Sequence, residues 1–160
     1  MMERALFALA FLAALGCGIV GGIFYGFSSF VMKALARIAP EQGVAAMKSI
    51  NVVVINPSFM LAFLGTAIAC LALAAGSCLW WQHLSGKLVL VAALLYLVGC
   101  FGLTMVVNQP LNLKLAALQP AEALAFWPRY VQMWTMWNHV RTVAPLLSTA
   151  LLMAALILKR

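Results

Sequence analysis

Long apolar runs, separated by short polar interruptions, set the pattern of this chain. No charged residue occurs from Ala5 to Met32, from Pro57 to Leu79, from Leu88 to Val107, or from Val143 to Leu158, where only Ser148 and Thr149 break the apolar character. At about 1.5 Å rise per residue, roughly 20 residues cross a hydrocarbon core of ~30 Å. The pattern therefore predicts four membrane-spanning helices at roughly 5–32, 57–79, 88–107 and 138–158. The first run is longer than the ~7–15-residue apolar core of a signal peptide. The expected fold is all-α: a polytopic membrane protein, one domain over residues 1–160. It is a four-transmembrane-helix bundle with short interfacial helices in the two loops on one side.

The polar interruptions predict how the runs are joined. Pro40 can open a short surface helix, Glu41 to Ile50. Asn56 followed by Pro57 reads as an N-cap and first helical residue. Trp80-Trp81-Gln82-His83 forms an aromatic belt, and the few residues to Lys87 force an antiparallel hairpin. Asn108-Gln-Pro110 is expected to end the third span, with Asn108 capping it, because proline resists helix continuation. Ala121 to Trp127 reads as a short surface helix, Pro128 restarts the chain, and Pro145 should kink the last helix. Gly18, Gly22 and Gly26, spaced by four, form a small-residue stripe. It is expected to pack against another helix of the chain or against a second copy in a homodimer.

Composition narrows the chemistry. The chain is 66% hydrophobic and 8% charged, where soluble domains carry about 25% charged residues. Its net charge of +7 sits at the ends of apolar runs, which suits anchoring in a lipid bilayer. No clustered basic stripe suggests nucleic acid. Cys17, Cys70, Cys78 and Cys100 all lie in apolar runs and read as small packing residues. There is no Asp, and the three Glu stand in terminal or loop segments, so a paired-carboxylate site within the membrane is excluded. No His/Cys cluster has metal-ligand spacing, and no motif requires an organic cofactor. A haem held by one histidine, or copper held by methionines, stays open.

Four spans put the N-terminus, the His83 turn and the C-terminus on one side. Segments 33–56 and 108–141 share the other. Asn51, Asn56, Asn108, Asn112, Trp134, Trp137, Asn138, His139 and Arg141 thus gather at one end of the bundle. Trp134, Asn138, Arg141 and Pro145 fall at i, i+4, i+7 and i+11, on one helix face. Polar groups at a bilayer boundary are costly unless they point into the protein. Asn51, Asn112, Asn138 and Arg141 are therefore expected to converge on one pocket, roofed by Trp134 and Trp137, with ~300 Å³ or more of space if it is a ligand site. The alternative is a close-packed polar plug that clamps the helices. Basic residues are dense on the terminal side, which favours termini in the cytoplasm of a cell with this protein in its inner membrane.

Three motifs at this end carry a resemblance: Asn-Val-Val-Val-Ile-Asn-Pro at 51–57, Asn-x-Pro-x-Asn at 108–112 and Trp-x-x-Trp-Asn-x-x-Arg at 134–141. In this order, with Phe24-Tyr-Gly-Phe-Ser-Ser-Phe-Val-Met32, they resemble the anthrone-oxygenase-like family of small four-span membrane proteins. The resemblance implies an oxygenase that turns anthrones into anthraquinones without an organic cofactor. Such a reaction needs a base for a benzylic proton, donors for the resulting oxyanion, and a flat apolar pocket open to oxygen. His139 is the one imidazole at the polar end and a candidate base; it also stands about 100° off the 134/138/141 face, which reads equally as facing lipid headgroups or a neighbouring helix. Asn138 and Arg141 are candidates to hold the oxyanion, and Trp134 and Trp137 to sandwich a ring. Two other classes compete: a lipid- or quinone-binding module without chemistry, and an accessory subunit of a membrane assembly.

Overall fold

The computed structural model describes residues 2–78 and 81–158, with side chains from residue 5 onward. Among the described residues seven α-helices follow one another: α1 (Met2–Gly26), α2 (Met32–Leu35), α3 (Pro40–Val53), α4 (Pro57–Ser77), α5 (Leu84–Tyr96), α6 (Gln109–Ala117) and α7 (Pro120–Leu158). Wider π-type turns at Phe27–Val31 join α1 to α2, and those at Leu97–Gly102 and Thr104–Asn108 join α5 to α6. The result is four rods long and apolar enough to cross a membrane: Ala5–Leu35, Pro57–Ser77, Leu84–Ala117 and Pro120–Leu158. Around the bundle, α1 packs on α4 and α7, and α5 packs on the same two helices. The expected all-α four-helix bundle is what forms. Many large apolar side chains, Phe11, Leu61, Val98 and Val143 among them, face outward. A water-soluble domain does not carry an apolar surface of that extent, whereas lipid is its natural solvent.

Three joints follow the local sequence. The Asn56 side-chain oxygen accepts from the Phe59 backbone N–H at 3.0 Å, with Pro57 in the first turn of α4. Pro40 opens α3, and Glu41 sits in its first turn, where the helix dipole favours a negative charge. The connection between α4 and α5 is short, as the hairpin requires; there Lys87 Nζ stands 5.8 Å from the Trp81 ring centre. The belt residue Trp80, the terminal pair Lys159 and Arg160, and the side chain of Arg4 lie outside the described residues.

The third and fourth rods differ from expectation. Pro110 does not end the third helix, and Asn108 does not cap it: the rod continues to Ala117. The π-type turn Thr104–Asn108 directly precedes α6, and Pro110 stands in the first turn of that helix, where a missing N–H is tolerated. Nor does Pro128 restart the chain. Both Pro128 and Pro145 lie inside α7, which runs unbroken from Pro120 and absorbs the expected 121–127 surface helix. Neighbouring helices hold such a rod together after a proline removes one bond. Of the four cysteines, Cys78 is exposed rather than buried.

The glycine stripe does not pack closely against another helix of the chain, which leaves its face open to a second copy. A side chain at Gly22 would meet no atom of the chain, and Gly18 and Gly26 have only ordinary contacts. The buried face of the first rod instead carries Ala13, Cys17, Val20, Phe24 and Ser28, rotated away from the stripe. Other glycines sit in tight contacts: a Cβ on Gly16 would run into the Thr66 side chain, one on Gly99 would lie 2.6 Å from the Ala144 Cβ, and one on Gly43 would lie 2.9 Å from the Leu35 carbonyl oxygen. Gly99→Leu should therefore destabilise the bundle by about 1–3 kcal/mol or more, the cost of overpacking. Gly22→Leu should leave the thermal midpoint of detergent-solubilised monomer unchanged. A stable Gly99→Leu protein would contradict this packing.

Candidate functional site

The site forms where α7 passes the upper ends of α1 and the third rod. Asn138 and Arg141 are almost fully buried, 0% and 3% exposed. The 138/141 face of α7 turns inward because its neighbours supply acceptors. The Arg141 Nη2 donates to the Asn138 Oδ1 at 2.8 Å, and Nη1 donates to the Thr104 hydroxyl at 3.2 Å. Asn138 is in turn fixed through its Nδ2, which donates to the Phe24 carbonyl and the Ser28 hydroxyl, each at 2.8 Å. The Ser28 and Thr142 hydroxyls meet at 2.9 Å, and Thr142 also donates to the Asn138 carbonyl. Two rings flank the guanidinium: its carbon lies 4.3 Å from the Phe24 ring centre and 4.8 Å from that of Trp134. Such placement over aromatic faces adds cation–π attraction.

What the guanidinium lacks is an acid. Among the described residues no carboxylate bonds to it, and its Nε–H has no partner. A desolvated cation without a counter-ion is expensive, so the site is electrostatically suited to an anion. Space for one adjoins it. A cavity of about 230 Å³ is lined on its apolar side by Phe24, Phe27, Phe59 and Phe63, and on its polar side by Thr104, Gln109, Asn112, Trp134 and Arg141. Its rim includes the exposed Ile23, Leu64 and Met105, so it reaches the apolar outer surface. The volume is below the ~300 Å³ expected of a ligand site.

The other predicted residues are placed in different ways. Asn112 lines the cavity and accepts from the Tyr130 hydroxyl at 2.8 Å and the Trp134 Nε1–H at 3.0 Å, so it fixes the angle of the Trp134 ring over Arg141. Asn108 is fully buried and donates to the Trp134 carbonyl at 3.2 Å, tying α7 to the third rod; its Oδ1 has no partner. Asn51 is half-buried on α3 beside Tyr130 and does not line the cavity. Asn56 is occupied in capping α4. Trp137 is half-buried and His139 exposed, and neither lines the cavity. His139 follows Asn138 by one residue and so turns about 100° away around α7. It lies in a separate groove with Lys33 and Met136. Neither a Trp137 roof nor a His139 base is therefore part of this arrangement.

Phe24, Ser28, Thr104, Phe59 and Phe63 belong to the site but were not singled out in the sequence for it. Thr104 had a signal: with Tyr96 it is one of two hydroxyls in the uncharged third run. Phe59 and Phe63 are spaced by four and stack at 5.7 Å between ring centres, yet in an apolar run such a pair looks like any other lipid-facing pair. Among the described residues no group of three His, Cys, Asp or Glu side chains is placed to hold a metal ion.

Neither a curated protein nor a solved structure matches the chain. A family model described as anthrone oxygenase matches residues 59–151. That stretch holds Phe59, Phe63, Thr104, Asn112, Trp134, Asn138 and Arg141, and so most of the cavity wall. With more than half of its length matched by that model, this integral membrane protein belongs to the anthrone oxygenase family.

Proposed function

We propose that the protein binds a flat, apolar aromatic ketone of the anthrone type in the cavity beside Arg141 and oxidises it with molecular oxygen. One observation carries the reading: a buried guanidinium with an unused N–H and no carboxylate partner among the described residues, set against an aromatic-walled cavity. An enolate oxygen answers that cation, and the rings of the same molecule answer Phe24, Phe59, Phe63 and Trp134.

The chemistry balances without a further redox partner. Loss of one benzylic proton gives a delocalised enolate, whose oxygen Arg141 holds. The electron-rich ring carbon opposite then reduces O₂ and forms a C–O bond to it. The peroxide takes up a proton and loses water with the remaining C–H hydrogen, leaving a second carbonyl. The sum is anthrone plus O₂ to anthraquinone plus water. The cavity lining contains no imidazole or carboxylate. The first proton is accordingly released to solvent at the membrane boundary, and Arg141 acts by lowering the cost of forming the anion. The rim at Ile23, Leu64 and Met105 supports entry of an apolar substrate from the bilayer. The dense basic residues of the terminal side support cytoplasmic termini in an inner membrane.

The test is turnover of an anthrone under air by protein in lipid nanodiscs, following oxygen uptake and quinone formation together. The expected result is one quinone per O₂ consumed. Binding of the quinone without turnover of the anthrone would favour a quinone-binding module instead.

A further inference from the structure

A second site lies on the other side of α7, in the groove that takes up His139. Gln132, Thr135, Met136 and His139 stand at i, i+3, i+4 and i+7, and therefore line one face of α7. Met32, Lys33 and Ala36 face them from the end of the first rod. Between them is a groove of about 360 Å³. Its polar members, Lys33, Gln132, Thr135 and His139, all carry a hydrogen-bond donor, and no carboxylate lines it. The Thr135 hydroxyl oxygen is buried with no protein partner. The remaining wall, Met32, Ala36, Val131 and Met136, is apolar.

Position decides what such a groove can hold. Lys33 is the first charge after the uncharged run from Ala5, so it marks the hydrocarbon boundary where lipid phosphates lie. Arg37 follows one turn later and adds positive charge outside the groove. We infer that the groove is a binding site for one anionic phospholipid. The headgroup phosphate sits among Lys33, His139 and Gln132, and acyl chain lies against Met32 and Met136. A free phosphate would meet the same donors but would gain nothing from the apolar wall. This site is separate from the Arg141 cavity, and the inference stands whether or not that cavity is catalytic.

Native mass spectrometry of the protein released from nanodiscs tests it. The nanodiscs hold equal amounts of phosphatidylglycerol and phosphatidylcholine with matched acyl chains. The wild-type chain should retain phosphatidylglycerol roughly fivefold over phosphatidylcholine, the scale of one basic residue at an anionic surface. The double substitution Lys33→Gln with His139→Gln, at two exposed positions, should bring the ratio to about one. Arg129→Gln, which removes an exposed cation outside the groove, should leave it unchanged, and inorganic phosphate should not displace the lipid. Equal retention of the two lipids by the wild-type chain would overturn the inference. So would a preference that survives the double substitution, an equal loss in Arg129→Gln, or displacement by phosphate alone.

Discussion

Arg141→Met is expected to reduce anthrone turnover by roughly a hundredfold or more, the usual scale for removing one oxyanion donor from an enzyme site. Methionine has comparable reach and suits the space between Phe24 and Trp134. The fold loses the donors to Asn138 Oδ1 and the Thr104 hydroxyl, at a cost of about 1–3 kcal/mol for each buried acceptor left unpaired. Removing a desolvated cation that no acid neutralises offsets part of that cost. Activity should therefore fall far more than the folded fraction does, as thermal unfolding and turnover measured on one preparation will show. Arg141→Lys keeps the charge but loses the planar fork that reaches both acceptors, and its activity should lie between the two. If Arg141 only clamped helices, activity would track the folded fraction in both variants.

Why the sequence showed the bundle clearly and its details less clearly is a matter of which forces are local. Span number and direction follow from bilayer thickness and the absence of charge, both visible in the sequence. Asn56 and Pro57 were legible because a cap bonds within its own turn. Pro110 and Pro128 misled because what proline does to a helix in a membrane depends on neighbours and on a preceding π-type turn, which are tertiary facts. The glycine spacing was ambiguous for a related reason: period four marks a face, but hydrophobicity could not say which face of an all-apolar helix turns inward. On α7 polar residues broke that degeneracy. Asn138 and Arg141 cannot face lipid cheaply, so their inward direction was readable, and His139 was correspondingly readable as off the face. Thr104, Phe59 and Phe63 stayed hidden because they become site residues only through packing against α1 and α7.

Asn138→Asp separates electrostatics from architecture more sharply than loss of Arg141 does. It places a carboxylate where an amide oxygen now accepts from Nη2 at 2.8 Å. The guanidinium then has a permanent partner within the chain. A unit charge about 4 Å away is worth about 4 kcal/mol at an effective dielectric constant of ~20, so it competes directly with a substrate oxyanion. Turnover should fall by roughly a hundredfold or more. Asp also removes the Nδ2 donor that now serves the Phe24 carbonyl and the Ser28 hydroxyl. The Ser28 hydroxyl can rotate to donate to the new carboxylate if Thr142 turns its one hydrogen from the Asn138 carbonyl to Ser28. Asn138→Ala loses the same donor without adding charge and serves as the reference. At matched folded fraction, the Asp variant should be at least ten times less active than the Ala variant, a conservative fraction of the Coulomb effect. Equal activity of the two would mean that the charge of Arg141 does not bind the reacting anion. The cavity would then be an apolar binding space whose guanidinium serves only to hold α7 against the third rod.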